Sequence, residues 1–399
     1  MSVYDSLGVP TIINASGPVT RLGGTRMSET VIGVFQDAAR DWAPLEQLQA
    51  AASKMIAQIT GAEAGLVTSG AAASLTLGTA SIMAGYDVGR MEQLPDAGTF
   101  PHEFVVARDQ RSGYDHAVRA AGAKLVEVGF NEVVSGAGVR RTEAWEYEAA
   151  FSEKTAGVLY VYTRDSRPPL EAVVEVAHRH DLPVLVDAAG ELPPRANLLL
   201  PSMTKADLVA FSGGKAIRGP QSTGLLCGRK ELIASAALQL LDMDDHWELW
   251  EPPAEFIDRG KLKGMPRHGI GRSMKVSKEE IIAFVTALAI FASEDPTQAN
   301  DSHREHLQLI AEAIEGPTVG CKVIDSPGDE RVPLLEITLA AADAVDVCRA
   351  LRKGTPPIYV GHGKLSEGKL VVNPMCLDRH AAETIAGRLR QELEHDRAT

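Results

Sequence analysis

Between Leu66 and Cys227, short apolar runs alternate with helical segments, and that alternation leaves few folds open. Leu66-Val67-Thr68 reads as a strand, Ala71 to Ala84 as a helix, Glu103 to Ala107 as a strand and Tyr114 to Ala121 as a helix. Strands follow at Lys124 to Val128 and Gly157 to Tyr162, then a helix from Leu170 to His180, and strands at Pro183 to Val186, Leu208 to Phe211 and Gly224 to Cys227. Repeated βα units predict an α/β fold with a mostly parallel central sheet covered on both faces. Such sheets bind ligands where the carboxyl ends of their strands diverge. Before this series, residues 1–48 read as an N-terminal arm, followed by a helix from Pro44 that Gly61 stops. A compact βα set from about residue 300 predicts a small C-terminal α/β domain (299–399) beside a large domain (49–298). The segment from Asp242 to Gly271, with Trp247 and Trp250 among its charges, reads as a loop over the site or at an interface.

The 399 residues carry a net charge of −13, which argues against a nucleic-acid partner, since a polyanion is bound by local Lys/Arg excess. No window approaches the roughly 18 apolar residues needed to span a bilayer, and the N-terminus lacks a basic segment followed by an apolar run. A cytoplasmic protein without a membrane partner is therefore expected. Cys227, Cys321, Cys348 and Cys376 stand far apart with no His at ligand spacing, so neither a disulfide framework nor a metal site is expected.

Two of the strand ends carry chemistry. Val184-Leu185-Val186-Asp187 places an acid at the end of one strand, and Phe211-Ser212-Gly213-Gly214-Lys215 places a lysine in a small-residue turn 28 residues later. This is a way to hold pyridoxal 5'-phosphate: the acid keeps the pyridine nitrogen protonated and the lysine forms the resting Schiff base. Taken alone, the pair also fits a helix-capping Asp and a surface Lys. A third element precedes them. Ser69-Gly70-Ala71-Ala72 opens a helix after a strand, and its small residues let backbone N–H groups approach a phosphate at the positive helix end. Ser212 offers a hydroxyl to the same phosphate. After another strand, Gln110 is the residue expected against the cofactor ring, with His116 read as lying on a helix face.

With these motifs in order, the chain resembles fold-type I pyridoxal-phosphate enzymes of the selenocysteine synthase-like group, which includes bacterial L-seryl-tRNA(Sec) selenium transferase and D-glucosaminate-6-phosphate ammonia-lyase. The resemblance covers nearly the whole chain. It rests on Ile13 to Gly17, Ser69 to Ala73, Tyr114 to Ala117, Val186 to Ala189, Phe211 to Lys215 with Gly219-Pro220-Gln221, and Gly271-Arg272-Ser273-Met274-Lys275. It implies that Lys215 is the Schiff-base lysine, Asp187 the pyridinium partner and Gly70, Ala71 and Ala72 the phosphate turn. It also implies that Arg272 and Arg21 meet the substrate, as planar guanidinium forks suit carboxylate or phosphate, and that the chain forms at least a homodimer.

Removal of a Cα proton by Lys215 opens three routes: β-elimination, racemisation and transamination. The selenium transferase carries an extra domain before its Asn-Ala-(Ser/Thr)-Gly segment, whereas that segment begins here at Asn14. The reading is therefore a small, anionic amino acid undergoing α,β-elimination with release of ammonia and a 2-oxo acid. A racemase or aminotransferase is the alternative, followed by selenium transfer on seryl-tRNA. A non-catalytic, pyridoxal-phosphate-binding assembly subunit is the alternative of another kind.

Overall fold

The structure, a computed structural model, describes residues 2–130, 141–325, 330–340 and 342–395. Residues 27–292 form one compact unit, and the segment up to Arg26 forms another with the chain from Ser293 onward.

Strand β1 (Ile13–Ala15) opens the chain, and the larger unit then contributes β2 (Ala64–Thr68), β3 (Glu103–Ala107), β4 (Lys124–Val128), β5 (Thr155–Val161), β6 (Val184–Asp187), β7 (Leu208–Ser212) and β8 (Gly224–Gly228). These last seven make one sheet in the order β2-β8-β7-β6-β5-β3-β4. All run in one direction except β8, which is antiparallel to both β2 and β7. Every residue of β2, β3 and β8 is buried, as strands covered on both faces must be. The order reverses between β3 and β5, because the chain crosses to β4 and then returns, and ligands of such sheets bind at a switch of this kind.

The helices follow the same logic. α1 (Glu29–Ala38) occupies part of the stretch that reads as an arm, with the Ser28 hydroxyl accepting from the Val31 N–H as its cap. α2 (Leu45–Thr60) lies where the Ala- and Gln-rich run predicts it. α3 (Ala71–Ala84) is buried nearly all round, and its apolar residues join Leu66, Phe104, Leu185, Leu208 and Leu226 of the strands in the main core. The helices Lys230–Leu240 and Lys278–Ser293 are found in addition to those read from the sequence.

In the smaller unit, β9 (Val319–Ile324), β10 (Leu334–Leu339) and β12 (Lys369–Val372) form an antiparallel sheet in the order β12-β10-β9, while β11 (Ile358–Val360) pairs in parallel with β1. Its core gathers Leu335, Ile337, Leu370, Val372, Ile385 and Leu389. One helix begins at Pro296, earlier than the sequence predicts, because Asp295 caps the Thr297 N–H. Another begins at Ala344 instead of Ala341, because Asp343 caps Val345 and Asp346; Ala341 lies outside the described residues.

Candidate active site

Parallel pairing of β6 with β7 sets Asp187 beside Ala210, so the acid and the turn that carries Lys215 leave the sheet at neighbouring strand ends. Beyond β7 the chain is tied down. Gly213 donates its N–H to Thr223 O at 2.8 Å, Gly219 donates to Gly213 O at 2.9 Å and Arg218 donates to Lys215 O at 3.0 Å. Lys215 is half-buried, and its Nζ lies 3.8 Å from the place a β-carbon on Gly190 would take. Burial lowers its pKa from the ordinary lysine value, against the attraction of Asp187 and then Glu191.

Burial likewise governs Asp187, raising its carboxyl above the usual value. The Ala189 N–H, which donates to Oδ1 at 3.0 Å, and the charge of Lys215 act in the opposite direction, and Asp115 adds a like-charge push upward. Asp115 is itself buried, accepting from Arg111 Nε and from the Ser112 N–H. Glu191 and Asp115 escape sequence reasoning because a lone carboxylate, the first in a loop and the second opening a short helix, carries no spacing signal. Only their positions, four residues after Asp187 and inside the Tyr114-to-Ala117 motif, hinted at them.

The small-residue turn follows β2, which runs parallel to β6 and β7, so it leaves the same edge of the sheet. Gly70 precedes α3 with φ +91°, a region that L side chains rarely adopt, and no side chain caps the helix there. The first N–H groups of a 14-residue helix are thus left for another acceptor. Ser69 donates its hydroxyl to Met274 O at 2.7 Å. A cavity of about 420 Å³ runs along this turn, lined by Ser69, Ala72, Tyr114, His116 and Met274 among others. Ser212 is half-buried at the end of β7.

Gln110 sits at the switch between β3 and β5. Its Oε1 accepts from the Val161 N–H at 3.0 Å, while its Nε2 is buried without a hydrogen-bond partner among the described residues. An orphaned buried amide is costly unless a ligand supplies the acceptor. That amide, the uncapped α3 and the Asp187–Lys215 pair together fit pyridoxal phosphate: an anion site, an acid for the ring nitrogen and an amine for the aldehyde.

Arg272, in the short 3-10 segment Ile270–Met274, places Nη2 2.5 Å from Asp242 Oδ2. Arg21 belongs to the other unit, where it is exposed and its guanidinium carbon lies 5.5 Å from the centroid of the Tyr359 ring. Among the described residues no helix is long and apolar enough to cross a membrane.

Comparison with known proteins bears on the fold and the cofactor. Residues 12–242 match the family model for L-seryl-tRNA selenium transferase, and residues 139–367 match that for class-V aminotransferases. The chain is 30% identical to a 5'-C-glycyluridine monooxygenase-decarboxylase of a Streptomyces species, over 98% of this chain and 92% of that one. It is 28% identical to the D-glucosaminate-6-phosphate ammonia lyase of Salmonella typhimurium, over 99% and 98% of the two chains. A solved structure of D-glucosaminate-6-phosphate ammonia-lyase superposes with a TM-score of 0.81 at 26% identity, covering 100% of this chain and 99% of that one.

Proposed function

The chain belongs to the L-seryl-tRNA selenium transferase family, and on that footing we propose that it is a pyridoxal-phosphate-dependent lyase. It acts at the α-carbon of a small anionic amino acid, eliminating a β-substituent and releasing ammonia and a 2-oxo acid. The observation that carries this reading is Asp187 and Lys215 at neighbouring strand ends, on the same sheet edge as the uncapped N-terminus of α3.

When bound, the cofactor withdraws electrons from the substrate's α-carbon. Lys215 would hold it through Nζ, Asp187 would hold its ring nitrogen, and the N–H groups of Ala71 and Ala72, with the Ser212 hydroxyl, would meet its phosphate, while the Ser69 hydroxyl stays on Met274 O. Burial, by lowering the pKa of Lys215, favours the unprotonated amine, which would take the substrate's α-proton. The same amine then returns a proton to the leaving β-substituent. Arg272 would orient the substrate's anionic groups.

The full-length relatives favour an amino acid built onto a sugar: the name of one carries a glycyl group on uridine, that of the other an amino sugar acid with a phosphate. The first also favours a second reading, oxidative decarboxylation at the same carbon. Two copies of the chain would build the working enzyme, and Val3, Tyr4, Leu7 and Val9, all exposed, supply apolar surface for a partner copy to cover.

Borohydride trapping with mass spectrometry tests the cofactor assignment, and a label anywhere but Lys215 overturns it. A panel of D- and L-amino acids and amino sugar acids in D2O separates the reactions. A 2-oxo acid with ammonia marks the lyase; oxygen uptake with CO2 release marks the second reading. Deuterium at Cα without further product marks a racemase, and dependence on an added oxo acid marks an aminotransferase.

A further inference from the structure

A cavity of about 500 Å³ in the larger unit is lined by Gln49, Asp242, Arg272, Lys275, Ser277 and Glu280 among others. It adjoins the site on two sides. Met274, between its two cations, accepts from Ser69 of the phosphate turn, and Glu280 accepts from the Ser222 hydroxyl, in the segment that returns from Lys215. Most of its polar groups are already committed. Gln49 exchanges two hydrogen bonds with the Val67 backbone, and the second oxygen of Glu280 accepts from the Ser277 N–H at 3.0 Å. Two cations remain. Lys275 is exposed and makes no ion pair among the described residues, whereas Arg272 is held by Asp242.

That contact is weak enough to exchange. Both side chains keep over a third of their surface, 36% for Arg272 and 47% for Asp242, and exposed ion pairs contribute about 0.2–1 kcal/mol. Asp242 is also anchored without Arg272, since its Oδ1 accepts from the Asp244 N–H at 3.0 Å. It can therefore release the guanidinium and stay in place.

We propose that Asp242 is an internal competitor for Arg272, a carboxylate that substrate must displace, and that it makes this cavity select a phosphomonoester or similar dianion over a monocarboxylate. The proposal rests on the reading above that Arg272 faces substrate. A monocarboxylate that displaces Asp242 exchanges one guanidinium–carboxylate pair for another and gains little. A dianionic phosphate gains a second charge and has oxygens for both Arg272 and the unpaired Lys275.

Arginine labelling by phenylglyoxal, located by mass spectrometry on the holoenzyme, reads Arg272 directly and needs no turnover. Inorganic phosphate is expected to protect Arg272 at lower concentration than acetate does. In Asp242→Asn the half-protecting phosphate concentration should fall about two- to fivefold, and in Lys275→Ala the advantage of phosphate over acetate should shrink. Equal protection by acetate and phosphate in the wild type overturns the proposal, as does an unchanged or higher half-protecting concentration in Asp242→Asn. If protection behaves as expected while the substrate KM is the same in Asp242→Asn as in the wild type, the competitor stands and the assignment of Arg272 to the substrate falls.

Discussion

Burial shifts the proton affinity of two side chains at the site, raising the pKa of Asp187 and lowering that of Lys215, and each shift weighs on the empty fold. The carboxyl of Asp187 is raised chiefly by burial, so over the range between the ordinary carboxylate value and the raised one the native chain binds more proton than the unfolded chain. Its contribution to stability therefore declines as pH climbs through that range, and the full cost stands above it. Asp187→Asn should accordingly raise the melting temperature of the cofactor-free protein at about pH 7, with no gain below the range. The same variant should bind cofactor more weakly, because a neutral amide cannot hold a protonated ring nitrogen. Calorimetry across pH checks the first half, and a melting temperature lowered at neutral pH would contradict it. For Lys215→Ala the expected loss in kcat is on the order of 10²- to 10⁴-fold, the range for removing a positioned proton-transfer group, together with loss of the borohydride label.

The strands and α3 are the elements that hold these groups in register, and they were also the most legible. α3, β3, β4 and β11 occupy the residues read for them: buried β3 and a helix stopped by Gly85 leave sharp boundaries in composition, whereas β4, largely uncovered, is marked only by its short run of Leu125, Val126 and Val128. The direction of β8 was not legible: an apolar run reads the same both ways, and only pairing with β2 and β7 decides it. Nor did the sequence reveal the bond between Gln110 and Val161, or that between Arg272 and Asp242. Each joins residues whose neighbourhood is made by the sheet and by loops, with no periodicity to betray it. At the α3 turn the packing is backbone against backbone. A β-carbon on Gly224 would stand 2.3 Å from Gly70 C and 2.6 Å from Ala71 N. Gly224→Ala must therefore displace the anion turn, at about 1–3 kcal/mol, or on the order of ten- to a hundredfold in cofactor affinity if the strain falls there. Equilibrium titration with pyridoxal phosphate measures this, and unchanged affinity would separate the turn from the phosphate.

For the whole molecule, a chain of 42.6 kDa working as a pair should sediment at twice that mass or more, and a single 42.6 kDa species with full activity would exclude the paired enzyme. The strongly acidic net charge leaves the recruitment of anionic ligands to local groups: the first turn of α3, Lys275, and Arg272 once it is released. Because β8 runs against its neighbours, the chain that carries Lys215 leaves the sheet and re-enters it next to its own exit, closed by the bond from Gly213 to Thr223. A segment sewn shut at its base has a fixed length. Its amides at Gly213, Gly219 and Thr223 should be among the slower in the unit to exchange with solvent deuterium, and an inserted residue there should be tolerated less well than one in the 242–271 segment. The lysine's travel between cofactor and substrate is then left to its four methylenes.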